Sequence, residues 1–429
     1  MTFPAAGLPG PVYSPAPPQS GRGLSDCLRS PIRGALVFCA TALCVALLSP
    51  GTLRASGDIY GTIHLESGRS YTGAIRWDVN EVFWDDVLDA EKREKVWVEG
   101  GFSGVQILGL SVGDEDGYWT HHPFKIQFGN LASIERRSSS RIRVELKNGE
   151  RVEIQATGTD LGESMRSLIV TDQNRGDVDV SWDDVELVEF SAGPDEGRDA
   201  DRLYGLVETS AGGFTGYITW DRDEALVTDT LDGETPDDNH HIPFSEIREI
   251  ERSSSRASRV TLTDGTQLRL TGTNDVDSDN RGIDVLVPGL GVVKVTWDEF
   301  ERVVFDPAPP SRPYSDFDGG QRLHGTVTDD QGESFTGFVL WDLDERNTWE
   351  FLDGEYEDIE LEIPFSLIES IHRESRNETE VRLKSGETYV LAGSNDVDSD
   401  NKGIVIELPD GDEIELDWED FESVEFNDP

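Results

Sequence analysis

The chain has 429 residues, of which 86 are Asp or Glu and 37 are Lys or Arg, so its formal net charge is −49 at pH 7. A surface this acidic repels nucleic acid and anionic membranes, and it attracts cations or basic partners. We therefore predict that the protein has no nucleic-acid partner. The length is sufficient for several packed cores.

Residues 1–55 are predicted to be a disordered leader followed by a signal peptide. Arg29 and Arg33 precede an apolar run over residues 35–48, which ends at small residues. This order is typical of a secretory signal, and the run is short for a membrane span. We expect a secreted, periplasmic or cell-envelope protein that touches a membrane only through an uncleaved leader. A buried core helix is the other alternative.

All three cysteines lie in this leader, at Cys27, Cys39 and Cys44. After cleavage the chain would contain none, so we expect neither disulfides nor thiol chemistry. The stability of the mature fold must then come from packed cores.

An acidic loop occurs twice in nearly the same form and indicates an internal repeat. Residues 272–283 return at 393–404 with only Ser for Thr and Lys for Arg, and Trp220 returns as Trp341 at the same offset. The predicted segments are repeat unit 1 at 58–193 with an insertion at 90–125, a linker at 194–200, repeat unit 2 at 201–307, a Pro-rich linker at 308–319 and repeat unit 3 at 320–429.

The first unit differs from the other two. It carries the insertion, and its acidic loop has diverged to the sequence at 159–167. Terminal repeats are often atypical because they cap an array. We therefore expect cation binding in the second and third units, and hardly any in the first.

Aromatic and β-branched residues alternate with polar residues throughout the units, and Gly and Asp separate the runs, which predicts strands and hairpins. Each unit begins with a segment such as Tyr-Gly-Thr-Ile at 60–63 and is an imperfect duplication, since 363–371 and 416–424 share their apolar spacing. This pattern resembles the SH3-like and Sm-like small β-barrels. The resemblance implies an all-β fold with two small barrel halves in each unit.

One larger sandwich or barrel per unit is the alternative to two small barrels. The RNA binding of Sm-like proteins is not expected here, because the acidic charge and the predicted export oppose it.

The two acidic loops are the predicted metal sites, because alternating carboxylates can converge on a hard cation such as Ca²⁺. They are not EF-hands, since the glycine comes too late and strands flank the loops. The alternative is an Asx-rich turn with an exposed acidic tip. The candidate ligands are Asn274, Asp275, Asp277 and Asp279 in one loop, and Asn395, Asp396, Asp398 and Asp400 in the other.

A second acidic motif has the form Trp-Asp-x-x-Glu and occurs once in each unit. We predict that its Trp packs in the core and its acids cap a hairpin turn, with metal or ligand binding as the alternative. The three copies begin at Trp77, Trp220 and Trp341.

The sequence favours an exported, non-enzymatic, acidic repeat protein of the cell envelope or exterior. We expect a binding or scaffold role with Ca²⁺ as its small partner and a protein or glycan as its macromolecular partner. No catalytic or cofactor-binding residue is predicted, because no nucleophile motif or phosphate-binding loop occurs. The alternatives are a secreted or periplasmic glycan hydrolase with paired carboxylates, and a ring of six small barrels within one chain.

Overall fold

The structure is a computed structural model that describes residues 57–96, 118–155, 160–162, 165–194 and 201–427. The predicted leader lies outside the described residues, as do most of the 194–200 linker and the middle of the insertion. The all-β prediction is confirmed for the described part of the chain, which contains antiparallel strands and single 3-10 turns but no α-helix.

Alternation of buried and exposed side chains explains why these segments form strands. In the strand at residues 70–77, Tyr71, Ile75 and Trp77 face the core, whereas Thr72 is exposed. A side-chain period of two residues places all the apolar groups on one face of a strand. The glycines of such strands allow close approach, because a Cβ at Gly73 would lie 2.0 Å from the carbonyl oxygen of Thr171 on the neighbouring strand.

Among the described residues of the first predicted unit there are ten strands. They are β1 (Tyr60–Leu65), β2 (Ser70–Trp77), β3 (Val87–Val96), β4 (Tyr118–Gln127), β5 (Leu131–Arg136), β6 (Arg141–Leu146), β7 (Arg151–Gln155), β8 (Leu168–Asp172), β9 (Gly176–Val180) and β10 (Val185–Phe190). They form the first sheet, in the order β4-β3-β7-β6-β5-β10-β1-β2-β8-β9.

Ten strands lie in the second region and ten in the third. Those of the second are β11 (Tyr204–Thr209), β12 (Gly212–Thr219), β13 (Thr230–Glu234), β14 (Asn239–Pro243), β15 (Ile247–Ser254), β16 (Ala257–Leu262), β17 (Gln267–Leu270), β18 (Ile283–Val287), β19 (Gly291–Val295) and β20 (Phe300–Phe305). Those of the third are β21 (His324–Asp329), β22 (Ser334–Leu340), β23 (Phe351–Tyr356), β24 (Ile359–Pro364), β25 (Ile368–Arg373), β26 (Thr379–Leu383), β27 (Thr388–Leu391), β28 (Ile404–Glu407), β29 (Glu413–Leu416) and β30 (Phe421–Phe426).

The same strand order recurs in the second and third sheets. The second sheet runs β17-β16-β15-β20-β11-β12-β18-β19-β24-β23, and the third runs β27-β26-β25-β30-β21-β22-β28-β29. The hairpin β13-β14 forms a separate two-stranded sheet, whereas its counterpart β23-β24 joins the second sheet through β19.

The sheets are not closed barrels, contrary to the prediction of two small barrel halves per unit. In the first sheet, β10 is the last strand of the predicted second half. It pairs with both β1 and β5, which belong to the first half. β20 and β30 have the same position in the other two sheets. The halves are therefore interleaved in one sheet, because the strand that ends each duplication completes the hydrogen bonding of the other half.

A pair of tryptophans from the two halves lies in the core of each region. Trp220 is fully buried, and its ring meets that of Trp297 edge-on at a centroid distance of 6.4 Å. Edge-to-face packing of this kind adds about 0.5–1.5 kcal/mol beyond the burial of area. The corresponding pairs are Trp77 with Trp182 at 5.9 Å and Trp341 with Trp418 at 6.2 Å.

The predicted Pro-rich linker at 308–319 packs on the first sheet. A 3-10 turn spans Tyr314–Asp316, and the hydroxyl of Tyr314 donates to the carbonyl of Leu131 at 2.7 Å. Phe317 is 5% exposed and joins the same apolar cluster as Trp349, which comes from the third region. This segment therefore connects the three regions through buried contacts.

Buried ion pairs also join the first region to the third. The ammonium group of Lys92 on β3 lies 2.8 Å from Asp344 and 2.7 Å from Glu350, and all three side chains are at least nine-tenths buried. Removing one partner of a buried ion pair is costly, because it leaves an uncompensated charge in a medium of low dielectric constant.

We predict that Lys92→Met lowers the free energy of unfolding by about 3–5 kcal/mol, because two buried carboxylates lose the cation between them. Thermal or denaturant unfolding of the full chain measures the effect. Arg151→Met is the control, since Arg151 pairs with Glu145 at the surface. Equal effects of the two changes would contradict the prediction.

Candidate metal centres

Within the described residues, three groups of three carboxylates bring their oxygens within 4.8 Å of one another. We call them the first, second and third clusters. All members are buried except the two glutamates Glu224 and Glu345, which are half-buried. The clusters consist of Asp78, Glu81 and Asp160; of Asp221, Glu224 and Asp275; and of Asp342, Glu345 and Asp396.

A tight turn positions the first two carboxylates of each cluster. In the second cluster, the N–H of Trp220 donates to the carbonyl of Glu224 at 2.8 Å, and the N–H of Glu224 donates back at 3.0 Å. Asp221 and Arg222 between them both have a φ of 52°. Non-glycine residues rarely adopt this left-handed conformation, so the surrounding contacts must hold it. Asp78 with Val79, and Asp342 with Leu343, repeat the conformation.

The third carboxylate comes from the acidic loop and is fixed at both ends. The indole N–H of Trp220 donates to the backbone carbonyl of Asp275 at 3.0 Å. One carboxylate oxygen of Asp275 accepts the N–H of Asp232 on β13 at 2.6 Å. Equivalent bonds hold the other two clusters. Trp77 and Asp89 donate to Asp160 in the first, and Trp341 and Asp353 donate to Asp396 in the third.

One basic residue pairs with the first aspartate of each cluster. Asp221 accepts the backbone N–H of Arg281 at 2.5 Å and its guanidinium at 2.6 Å, and the amide of Asn274 also donates to Asp221. Three carboxylates and one base leave a net charge of −2 when all are ionised. The equivalent pairs are Arg166 with Asp78 and Lys402 with Asp342.

The clusters lie where the sheets meet. Asp223 contacts Arg281 at 3.0 Å and also Arg166, so the bases of the first and second clusters meet at one carboxylate. In the third region Asp344, at the position equivalent to Asp223, pairs with Lys92 of the first sheet. A change in the charge of one cluster would therefore weaken or strengthen an ion pair that joins two sheets.

The glutamate of each cluster has one oxygen without a hydrogen-bond partner in the described part of the chain. Glu81 is 6% exposed, and its Oε2 is such an atom, as are Oε2 of Glu224 and Oε2 of Glu345. A buried acceptor without a partner costs about 1–3 kcal/mol, and more when it is charged. A proton or a cation would relieve this cost.

Burial and neighbouring carboxylates raise the pKa values of these groups. Desolvation, with Asp275 as the next cause, raises the pKa of Glu224 to about 9. Desolvation also raises the pKa of Asp275 to about 6 and those of Glu81, Glu345 and Asp396 well above their ordinary values. Without a cation, Glu224 therefore keeps its proton at neutral pH.

The geometry fits a metal ion. The oxygens of each cluster lie within 4.8 Å of one another, so one ion with metal–oxygen distances of about 2.3–2.6 Å could contact all three carboxylates. A dication would balance the net charge of −2 and would displace the proton of the glutamate. Clusters of buried acidic residues in this protein can thus hold a metal ion.

The structure brings together two motifs that the sequence analysis treated separately. Of the predicted loop ligands, Asp275 and Asp396 belong to clusters, and Asn274 and Asn395 donate to Asp221 and Asp342. Asp277, Asp279, Asp398 and Asp400 lie outside the clusters found among the described residues. Instead, Asp277 accepts the N–H of Asp279 at 3.0 Å, and Asp398 accepts that of Asp400 at 2.8 Å, as in an Asx turn.

The first cluster was not predicted from the sequence, and metal binding by the Trp-Asp-x-x-Glu turns was only the alternative to a hairpin cap. Asp160 keeps the place of Asp275, and Arg166 keeps the place of Arg281. Gly162 and Ser164 replace the acids at the positions of Asp277 and Asp279. The expectation that the first unit hardly binds a cation therefore no longer follows. The recurrence of Trp-Asp-x-x-Glu ahead of all three loops was the available signal.

No family model, curated protein or solved structure matches this chain. Among the described residues, none of the helical segments has the length and apolar character that crossing a bilayer requires.

With a chelator present to remove metal ions, the free energy of unfolding should fall as the pH rises from about 5 to 9. The raised pKa of Glu224, about 9, keeps this group protonated in the folded state, whereas the unfolded chain releases the proton above the ordinary value of 4.5. Each such glutamate contributes a slope of at most about 1.4 kcal/mol per pH unit between these values.

The combined Glu81→Gln, Glu224→Gln and Glu345→Gln variant should lose most of this slope in thermal unfolding measured across that pH range. Asp279→Asn is the control, because Asp279 is exposed and lies outside the clusters. An unchanged slope in the triple variant would contradict the assignment of these protons.

Proposed function

We propose that the protein is an exported, non-enzymatic, acidic binding or scaffold protein built from three copies of one β-module, each of which holds one Ca²⁺. The recurring strand order supports the three modules. Equivalent backbone bonds support them too, since the N–H groups of Ile59, Leu203 and Leu323 donate to the carbonyls of Val82, Ala225 and Arg346.

The observation that carries the proposal is the buried glutamate oxygen without a partner, which recurs at the same place in all three clusters. A purely structural turn would bury such an atom at a cost and would gain nothing from it. Three independent copies of this cost indicate that a ligand offsets it. The ligand must be positive, because three carboxylates surround each position.

Ca²⁺ fits these positions better than the other common cations do. The donors are carboxylate oxygens, and the clusters contain neither His nor Cys, which zinc sites usually include. Mg²⁺ usually keeps several waters and binds through one or two carboxylates, whereas Ca²⁺ takes six to eight oxygens in flexible geometry. Each cluster offers three carboxylates, which suits Ca²⁺.

The composition supports the same proposal. A chain with a net charge of −49 repels itself when folded, and bound dications reduce this repulsion where the carboxylates are most crowded. The predicted signal peptide would deliver the protein to a compartment outside the cytoplasm. The remaining acidic surface would stay available for a protein or glycan partner.

The competing proposal is a glycan hydrolase with paired carboxylates. Such enzymes hold their two carboxyl groups about 5–5.5 Å or 6.5–9.5 Å apart at a site that a sugar can enter. Asp221 is fully buried and Asp275 is 5% exposed, which leaves a sugar no access to this pair. Polysaccharide hydrolysis that Glu224→Gln abolishes would support the hydrolase instead.

Calorimetric titration of Ca²⁺ into the full chain should give three bound ions. Each of Glu81→Gln, Glu224→Gln and Glu345→Gln should lower this number by one. Binding near neutral pH should release protons, because Glu224, whose pKa is about 9, must lose its proton to bind the ion. Titration in two buffers of different ionisation enthalpy measures the release.

The matched control is the double variant Asp277→Ala with Asp398→Ala, which should still bind three ions because both residues lie outside the clusters. Loss of binding in this variant, with the three glutamate variants unchanged, would move the ions to the loop tips. Absence of Ca²⁺ binding to the unaltered chain would leave the clusters as proton-sharing sites and end the proposal.

A further inference from the structure

A cavity of ≈ 460 Å³ opens in the third region, where β21 and the last residues of the chain approach the 3-10 turn at Phe365–Leu367. Its apolar lining includes Phe365 and Phe426. Its polar lining includes Arg322, His324 and Lys384. Arg322 already pairs with Glu407 at 2.8 Å, so Lys384 is the basic group that suits a ligand that is both apolar and anionic.

Backbone hydrogen bonds identify the residues of the first region that are equivalent to those around this cavity. The N–H of Thr348 donates to the carbonyl of Gln321, and the N–H of Trp84 donates to that of Gly57. In the same way, Lys384 and Lys147 donate their backbone N–H groups to Leu367 and Asn130. Lys147 in the first region is therefore the counterpart of Lys384, and Trp84 is the counterpart of Thr348.

In the first region this place is filled by the segment that follows the second region. The ring of Tyr314 lies 4.3 Å from that of Trp84, and the ammonium group of Lys147 sits 3.8 Å from the centre of the Tyr314 ring. The same ammonium group donates to the carbonyl of Tyr314 at 2.6 Å. Lys147 thus recognises the tyrosine through both a cation–π contact and a charged hydrogen bond.

Acidic residues follow this tyrosine and act on the same lysine. Burial lowers the pKa of Lys147, and the charges of Asp318 and Asp316 oppose that shift. The segment that occupies the first region therefore carries a tyrosine in a 3-10 turn, followed by carboxylates.

In the third region the corresponding groups are present and accessible. The ammonium group of Lys384 donates to the carbonyl of Ser366 at 2.8 Å and has no carboxylate partner among the described residues. Thr348 is small where Trp84 is large, which leaves room for an aromatic ring. The two regions differ at one position that affects specificity, where the first has Gly129 and the third has Ser366. A Cβ at Gly129 would lie 2.3 Å from the Phe317 ring, so the Cβ of Ser366 leaves no room for such a ring.

We propose that the cavity beside Lys384 binds a peptide segment of a partner protein that carries a tyrosine followed by acidic residues, held as Tyr314 is held in the first region. Because Ser366 leaves no room for an aromatic ring in the position of Phe317, the tyrosine is the anchor. The site is separate from the carboxylate clusters and does not depend on a bound cation.

The test uses a labelled synthetic peptide with the sequence of residues 311–318 and measures its fluorescence anisotropy with the full chain in a chelator. One peptide should bind per chain. A Tyr314→Ala peptide should bind at least about tenfold more weakly, because it loses the ring that contacts the lysine. A Phe317→Ala peptide should bind as well as the original.

Lys384→Ala in the protein should weaken binding about tenfold, since it removes the cation–π contact and the charged hydrogen bond. Lys147→Ala is the matched control and should leave binding unchanged, because the tethered segment occupies its site. Equal melting temperatures of the two variants would show that both are folded.

Failure of the peptide to bind, or equal binding of the Tyr314→Ala peptide, would overturn the proposal whatever the outcome of the Ca²⁺ titration. An effect of Lys147→Ala without one of Lys384→Ala would show that the peptide only displaces the tethered segment. A dimer of the full chain that the peptide dissociates would make a second copy of this chain the occupant in place of a partner.

Discussion

The burial of three carboxylates within 4.8 Å of one another is the constraint around which each region is organised. Like charges in a medium of low dielectric constant repel strongly, so the fold must supply a base, a proton or a cation at each place. The base is present in every cluster as Arg166, Arg281 or Lys402. It neutralises one carboxylate and leaves the other two to a proton or, as we propose, to a metal ion.

The surrounding structure holds these charges in place. The tryptophan of each turn packs in the core and also donates to the loop that carries the third carboxylate, so apolar packing and charge placement depend on the same side chain. Because Asp223 contacts the bases of two clusters, the first and second regions are joined by charge as well as by buried apolar residues such as Phe83 and Leu226. The conformation of the acidic loops and the contacts between the sheets therefore depend on the same ion pairs.

Local features could be predicted from the sequence, whereas features that join distant segments could not. Alternating apolar residues located the strands, and the Asx turn at Asp277 follows from its own short-range chemistry. The pairing of β10 with both β1 and β5 was missed, since a duplicated pattern does not say whether its halves close separately or share one sheet. The clusters were missed for a similar reason: Asp78 and Asp160 are far apart in the chain, and hydrogen bonds from Trp77 and Asp89 hold Asp160 in place.

The position of β10 between strands of the other half also limits how such a chain can change in length. Deleting either half of a module would remove the neighbours of a central strand and expose its backbone groups to water or to other chains. Deleting or adding a whole module would leave the internal ladder of every remaining module intact. For the three modules that we propose, gene duplication can therefore lengthen the chain only in complete modules, and relatives of different length should differ by whole modules.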